Sequence, residues 1–477
     1  MKMQPPFHRR ALPALAALVL SACAALEPPP SPPAVAPPQW QAPLPHDGRL
    51  ADLTRWWQQF DDPLLAQLID AAQQESPTLA AAASRLAQSR AARVAAGATL
   101  LPALDATAST GRGRSELGAP VGTSASAGLQ ARWELDLFGG GRAARDAAQA
   151  RFEGAQASWH AARVSVAAEV AGRYLALRAC EAQVLQTRAD AASRAESARL
   201  TELSARAGFQ SLADAALARA SAAQASAQLS AQQAQCDAEI KALVALTGAD
   251  EPALRGRLAA ATARLPRPAQ IAVQAVPGEL LNQRPDLYAA GRDLVAASGD
   301  LAQSRAERLP RITLAGSVGA ARLDSGAGQV DGTTWSVGPL AVTLPLFDAG
   351  TRRANVDAAR AAYDAAAVAY RAQLRAAVRE VEDALVQLQS TATRADDARA
   401  AADGYDYAFH ATERRQQSGA ASLFELEDAR RSAVQARSAL IDLERERVAA
   451  WISLYRALGG GWRAAADAAP EAQAQNR

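Results

Sequence analysis

Apolar and polar residues alternate with period two in four stretches of this chain. Leu129, Ala131, Trp133 and Leu135 alternate with Gln130, Arg132, Glu134 and Asp136. Ile312, Leu314, Gly316 and Val318 alternate with Thr313, Ala315, Ser317 and Gly319, and Leu340, Val342, Leu344 and Leu346 repeat the pattern. Leu104, Ala106 and Ala108 against Asp105, Thr107 and Ser109 form a weaker fourth stretch. Successive side chains on a strand point to opposite faces, so each stretch predicts a strand with one apolar face and one polar or small face. Two arrangements fit the pattern equally: a half-buried antiparallel sheet, or a barrel with lipid outside and water inside.

Between the strands the period changes to that of a helix. Two uninterrupted helices are predicted from about Gly141 to Arg206 and from about Thr351 to Gln417. Each would be roughly 100 Å long at the α-helical rise. Leu374, Val378, Val381, Leu385 and Leu388 step by 4, 3, 4 and 3, which is a heptad seam. Val170, Tyr174, Leu177 and Val184 keep the same spacing in the first helix. No compact globular domain needs helices of this length.

The body of the chain is written twice, with a period near 208–211 residues. Ser76-Pro77 opens a run that ends at Leu101-Pro102, and Arg284-Pro285 opens one that ends at Leu309-Pro310. Trp133–Gly141 matches Val342–Gly350, Ala207-Gly208 through Leu212 matches Ser418-Gly419 through Leu423, and Leu246–Gly248 matches Leu458–Gly460. Each copy reads as a proline-started helix, two strands, a very long helix, a glycine turn and a second long helix. Proline fits the first helical position, where its missing N–H costs nothing, and proline also stops a helix. The copies span 46–248 (strands about 103–136, long helices about 140–206 and 210–247) and 277–459 (strands about 311–346, long helices about 350–417 and 420–458). Residues 249–276 connect them, and 460–477 form a C-terminal tail.

Composition fits long packed helices better than a globular core. Alanine dominates the apolar half and aromatics are 5% of the 477 residues. The formal net charge of +2 gives no global bias toward nucleic acid. The N-terminus adds a destination. Lys2, His8, Arg9 and Arg10 precede the apolar stretch 11–22, which is too short to span a bilayer. Leu20-Ser21-Ala22-Cys23 then matches the bacterial lipobox, so residues 1–22 read as a signal peptide and Cys23 as the acylated first residue of the mature chain. The Pro-rich stretch that follows makes 23–45 an extended, lipidated tether. If the strands lie in a membrane, four per chain cannot close a barrel, and chains must share one.

At this point the chain resembles the outer-membrane factor family of tripartite efflux systems, in its NodT-like lipoprotein branch. The residues that carry the likeness are Cys23 in its lipobox, Trp57-Gln-Gln-Phe60-Asp-Asp-Pro63-Leu-Leu, Asn282-Gln-Arg-Pro-Asp286, Leu344-Pro-Leu-Phe-Asp348 and Tyr455-Arg-Ala-Leu-Gly-Gly-Gly-Trp462. The resemblance implies a mainly α chain with a transmembrane β part: a homotrimer with one β-barrel continued by a long α-helical barrel and a mixed equatorial belt. Residues 46–62, 249–276 and the tail after Gly459 would supply that belt. It also implies a periplasmic adaptor and an inner-membrane resistance-nodulation-division pump as partners, with no cofactor beyond the lipid on Cys23. Ala349-Gly350-Thr351 departs from the family, which more often has Arg after the glycine.

Candidate sites follow. The turns at Gly208 and Gly419 would form the far, periplasmic end. By resemblance, the constriction falls on Phe424 as an apolar plug and Asp428 as an acidic ring, with Asp214 and Glu425 as further candidates; a solvated helix face would explain Asp428 equally well. Cys180 lies 28 residues before Gly208 and Cys236 28 after it, which sets them side by side on an antiparallel helix pair. A disulfide or two buried thiols would both suit that placement. Catalysis finds no support: His8, His46, His160 and His410 are scattered, and no nucleophile set, phosphate loop or metal-ligand spacing stands out. The expected function is a passive outer-membrane conduit for small molecules. A type I protein-secretion channel and a lipid-anchored periplasmic coiled-coil scaffold are the alternatives.

Overall fold

The computed structural model describes residues 53–60, 62–114, 121–268, 283–325 and 328–462, together with Pro37, Trp40, Gln41, Ala42 and Leu44. The expectations for the signal peptide, for Cys23, for residues 269–276 of the connector and for the tail beyond Trp462 lie outside these residues. The described chain forms two compact units. One takes Ser84–Gln156 and Ala289–Ala372; the other takes Val35–Ala83, Ala157–Tyr288 and the residues from Gln373 on. Neither unit is one copy of the duplication, since each draws on both.

The first unit holds the sheet. Strands β1 (Ala103–Gly113), β2 (Gly122–Leu135), β3 (Arg311–Ser325) and β4 (Gly328–Thr343) lie in sequence order, each antiparallel to the next. The register sets Ala106 opposite Leu129, Leu129 opposite Val318, and Val318 opposite Trp335, so the apolar positions share one face. The other face carries cross-strand hydrogen bonds between Ser109 and Ser126 (2.9 Å) and between Ser317 and Ser336 (2.8 Å). The expected last strand ran through Leu346, but β4 stops at Thr343. Thr343 is opposite Arg311, the first residue of β3, so no partner remains, and Pro345 has no N–H to donate. Before the two hairpins stand α2 (Pro77–Ala98) and α6 (Pro285–Ala306), both 22 residues long and both opened by proline.

The long helices α3 (Gly140–Arg206) and α7 (Thr351–Gln417) have 67 residues each and contribute to both units. In the second unit they pair with α4 (Leu212–Thr247) and α8 (Leu423–Ala457). These partners start two to three residues later than the pattern suggested, because Ser211 and Ser422 take the N-cap positions and accept the N–H of Asp214 and Glu425. The heptad residues Val170, Tyr174, Leu177, Val381, Leu385 and Leu388 are buried in one apolar cluster. Trp56 and Tyr455 stack in it at 4.9 Å, with Trp57 and Phe60 edge-on or tilted against them.

The belt region is more ordered than its reading as connector suggested. Asp62 caps a helix the pattern did not predict, α1 (Pro63–Glu75), which buries Leu65, Leu68, Ile69 and Ala72. The connector folds as α5 (Glu251–Leu258) and a short 3₁₀ turn. Residues 40–42 belong to the body: Trp40 is buried, and the N–H groups of Gln41 and Ala42 donate to the Glu382 carboxylate at 2.6 and 2.7 Å.

Two of the sequence motifs meet here. Arg284 is buried and donates to the Ala457 carbonyl at 2.9 Å, satisfying a C-terminal carbonyl of α8. It is paired with Asp286 (2.6 Å) and Glu380 (2.8 Å). Burial alone would push the Asp286 carboxyl up, but the bonds from Arg284 outweigh it and hold that carboxyl below its ordinary range. The Gly459–Gly461 turn presses on the same place. Gly459 has φ +76°, and a Cβ there would lie 2.5 Å from the Gln283 carbonyl oxygen. Gly459→Ala is therefore expected to cost about 1–3 kcal/mol, through left-handed backbone strain and a clash with main chain. Thermal unfolding of the purified protein measures this, and an unchanged midpoint would contradict the tight approach.

Candidate functional site

In the first unit the candidate is the sheet itself. A half-buried sheet would have its apolar face covered. Here Leu104 is 67% exposed, Val318 55%, Trp335 78% and Val342 63%. The opposite face is mostly polar or small, with serine, threonine and glycine beside Asp105, Gln130, Arg132 and Glu134. A bare apolar face backed by a hydrogen-bonded polar one suits a wall between lipid and water. Among the described residues, strands β1 and β4 each keep one edge without a partner strand.

In the second unit the candidates are the two helix turns. Both end in a left-handed glycine, Gly208 at φ +81° and Gly419 at φ +76°. In each, the next residue's N–H reaches back five residues: Phe209 to the Ser204 carbonyl (2.9 Å) and Ala420 to the Arg415 carbonyl (2.8 Å). That bond closes the last turn and reverses the chain tightly. The four gate candidates then separate. Asp214 and Glu425 bond the serines that cap their helices: the Ser211 hydroxyl donates to Asp214 at 2.8 Å, and Glu425 completes a capping box with Ser422. The Ser422 N–H bond holds the Glu425 carboxyl below its ordinary range. Phe424 is 69% exposed, and Asp428 is also exposed, with only Arg431 nearby at 3.7 Å.

Near these turns lies a charge cluster the sequence did not reveal. Arg194 of α3 binds Asp190 (2.9 Å) and Glu427 of α8 (3.0 Å), and the Ser221 hydroxyl of α4 donates to Glu427 at 2.7 Å. Arg430, 2% exposed, bonds Glu427 and donates to Ser193 at 2.9 Å, with its guanidinium 5.4 Å from the Phe409 ring centre. Burial lowers the pKa of Arg430. In sequence these are ordinary pairs three and four apart on helix faces; only the packing of one hairpin on the other joins them. Cys180 and Cys236 lie side by side with Cα atoms 5.6 Å apart, their sulfurs joined. Among the described residues no cluster of His, Cys, Asp or Glu could hold a metal ion, and no helix is long and apolar enough to cross a membrane.

The outer membrane efflux protein family matches residues 68–249 and 276–460. The chain belongs to that family. The pyoverdine export outer membrane protein OpmQ of Pseudomonas putida is 32% identical over 475 residues, covering 97% of this chain and 99% of that protein. A membrane protein from Pseudomonas aeruginosa, solved by crystallography, is 30% identical with a TM-score of 0.81, covering 91% of this chain and 100% of its own. The open state of the Neisseria gonorrhoeae MtrE outer membrane channel is 27% identical with a TM-score of 0.76, covering 92% and 99%. This efflux protein thus shares the mainly α fold of outer-membrane channels, in which a β part continues into long helices. It is an outer-membrane channel component of an efflux system, and its family is one of channel proteins, not enzymes.

The buried cluster gives a contrast at neighbouring positions. Glu427→Ala leaves the buried Arg430 and the half-buried Arg194 to share Asp190 and should cost about 3–5 kcal/mol. Asp428→Ala, one residue on but exposed, should stay within ~0.5 kcal/mol. Thermal unfolding followed by circular dichroism compares them, and equal shifts would refute the cluster's role.

Proposed function

We propose that three copies of this efflux protein close one barrel and form a passive export conduit for small molecules across the outer membrane. The observation that carries the reading is the sheet with one bare apolar face and two unpaired edges. Four strands cannot close, and an open edge in lipid strands backbone groups at several kcal/mol each. A coiled-coil scaffold would need no such sheet. The helices extend into the periplasm and meet a periplasmic adaptor there. Energy comes from an inner-membrane resistance-nodulation-division pump, in keeping with a family of channel proteins. The pyoverdine-exporting relative supports a small organic cargo over a protein. Nucleic acid has no part in this function.

Phe424 and Asp428 form the periplasmic constriction. Both are exposed, as pore-facing residues should be, and Asp428 has Arg431 3.7 Å away on the same helix. The double change Phe424→Ala with Asp428→Ala should raise single-channel conductance in planar bilayers and weaken cation preference. Unchanged conductance would reject the assignment, and no conductance from the unaltered protein would reject the channel itself.

Acyl chains on Cys23 anchor the mature chain in outer-membrane lipid, and Cys180–Cys236 is oxidised in the periplasm. The disulfide closes a loop of 57 residues and stabilises by a few kcal/mol on the loop-entropy argument, about 4 at most. Intact mass without reduction reads both claims at once. The expected species starts at Cys23, carries acyl chains and lacks the two thiol hydrogens of Cys180 and Cys236. Two alkylatable thiols, or an unacylated N-terminus, would each overturn its own half.

A further inference from the structure

Within the second unit a cavity of about 570 Å³ opens between α7, α8 and the connector. Its walls are largely apolar, with Leu265 and Pro266 of the connector facing Ala395 of α7 and Leu440, Leu443 and Trp451 of α8. Trp451 is 5% exposed, and Thr391 of α7, also on the wall, is fully buried. Four arginines line the cavity against one carboxylate, Glu444: Arg264 and Arg267 from the connector, Arg399 from α7 and Arg447 from α8. Arg399 bonds Asp396 at 3.1 Å. Among the described residues, neither Arg267 nor the half-buried Arg447 makes a hydrogen bond or ion pair. The connector wall is held at its near end, where the Ala263 N–H donates to the Glu181 carboxylate at 2.8 Å.

The duplication says what occupies this place in the other copy. Adding 211 carries α3 onto α7 and α4 onto α8, as it carries Gly208 onto Gly419. It also carries the buried Leu177 and Leu243 onto the buried Leu388 and Leu454. The same shift carries Cys180 onto Thr391 and Cys236 onto Arg447. The first hairpin is thus joined by a covalent bond where the second lines a cavity. Beside the disulfide, the Gln232 side chain donates to Gln183 at 3.0 Å; its counterpart is the apolar Leu443. Asp237 corresponds to Val448, and Ile240 to Trp451. Relative to the first copy, a positive charge and a large aromatic ring enter this place, and an amide and a carboxylate leave it.

Apolar walls with a few charged groups, in a volume of some hundreds of Å³, are what small-molecule sites are made of. Guanidinium groups recognise carboxylates and related anions through paired N–H bonds. We propose that this cavity binds a small organic anion with an apolar body, which bridges α7, α8 and the connector where the first copy has its disulfide. The anionic group meets Arg447 and Arg267, and the apolar body lies against Trp451 and Leu443. The site is built within one unit of one chain and does not rest on how chains assemble.

Titration calorimetry of the purified full-length protein in a non-ionic detergent tests this, with naphthoate as the probe. A single saturable site per chain is expected, and the matched cation, naphthylmethylammonium, should not bind. Arg447→Gln should weaken naphthoate binding about tenfold or more. Ala395→Phe, which fills the cavity, should abolish binding with helix content and oligomer size unchanged; if that variant misfolds, Arg447→Gln decides alone. Arg379→Gln, an exposed position on α7, should bind as the unaltered protein does. No saturable binding, equal binding of the cation, or an unchanged affinity in Arg447→Gln would overturn the site. An equal loss in Arg379→Gln would mark bulk charge and overturn it too. Thr391→Cys with Arg447→Cys should form a disulfide as its twin does and remove naphthoate binding. Two alkylatable thiols there would overturn the correspondence with the first copy, and a disulfide that leaves binding intact would overturn the location.

Discussion

A backbone N–H or C=O group in lipid must be bonded to another backbone group, because nothing else there can bond it. In this protein β2 and β3 are paired on both sides, and β1 and β4 on one. The requirement therefore passes from the strand to the assembly. It also explains why the copies match so closely in length, with 22 residues in α2 and α6 and 67 in α3 and α7. Strands fed by helices of unequal length would enter the membrane at different heights, and the register at the shared edges would not close.

Alanine answers the same demand along the helices. A helix of 67 residues has far more surface than a globular core could cover. Small side chains let neighbouring backbones supply the cover by approaching closely, at low cost in side-chain entropy. Large side chains gather where the path of the chain is irregular, around Trp56, Trp57, Phe60 and Tyr455. Arg284 belongs to that irregular region as well. It ends one helix, opens another and neutralises two carboxylates from a single buried position.

What could be read from the sequence was what is local. Period-two and heptad patterns gave the strands and long helices, and glycine and proline gave their ends, since each depends on residues a few positions apart. Some local signals were there and were assigned differently. Asp62 before Pro63 is a helix start, Ser422-x-x-Glu425 is a capping box, and Pro345 cannot sit inside a ladder. Asp214 and Glu425, candidates for the gate by resemblance, also bond the capping serines Ser211 and Ser422. The cluster of Asp190, Arg194, Glu427 and Arg430 was not legible at all. Its members are more than two hundred residues apart across the hairpins, and each half resembles a solvated helix face. The bare apolar sheet face was legible as a pattern, but only the fold could say that none of the described residues covers it.

The two copies diverge where they touch each other, and they diverge in charge. Shifting by 211 turns Asp190 and Arg194 into Ala401 and Tyr405; shifting back turns Glu427 into Ala216. The charged bridge between hairpins is therefore built once per chain, not once per copy. Gln183 to Asp442 (2.9 Å) and Arg437 to Gln186 (3.4 Å) also join the copies in the second unit, as Arg151–Asp300 and Glu153–Arg292 do in the first. Duplication gives the two copies their matched strands and helices, and changes in a few charged residues make the bridges between the copies unequal.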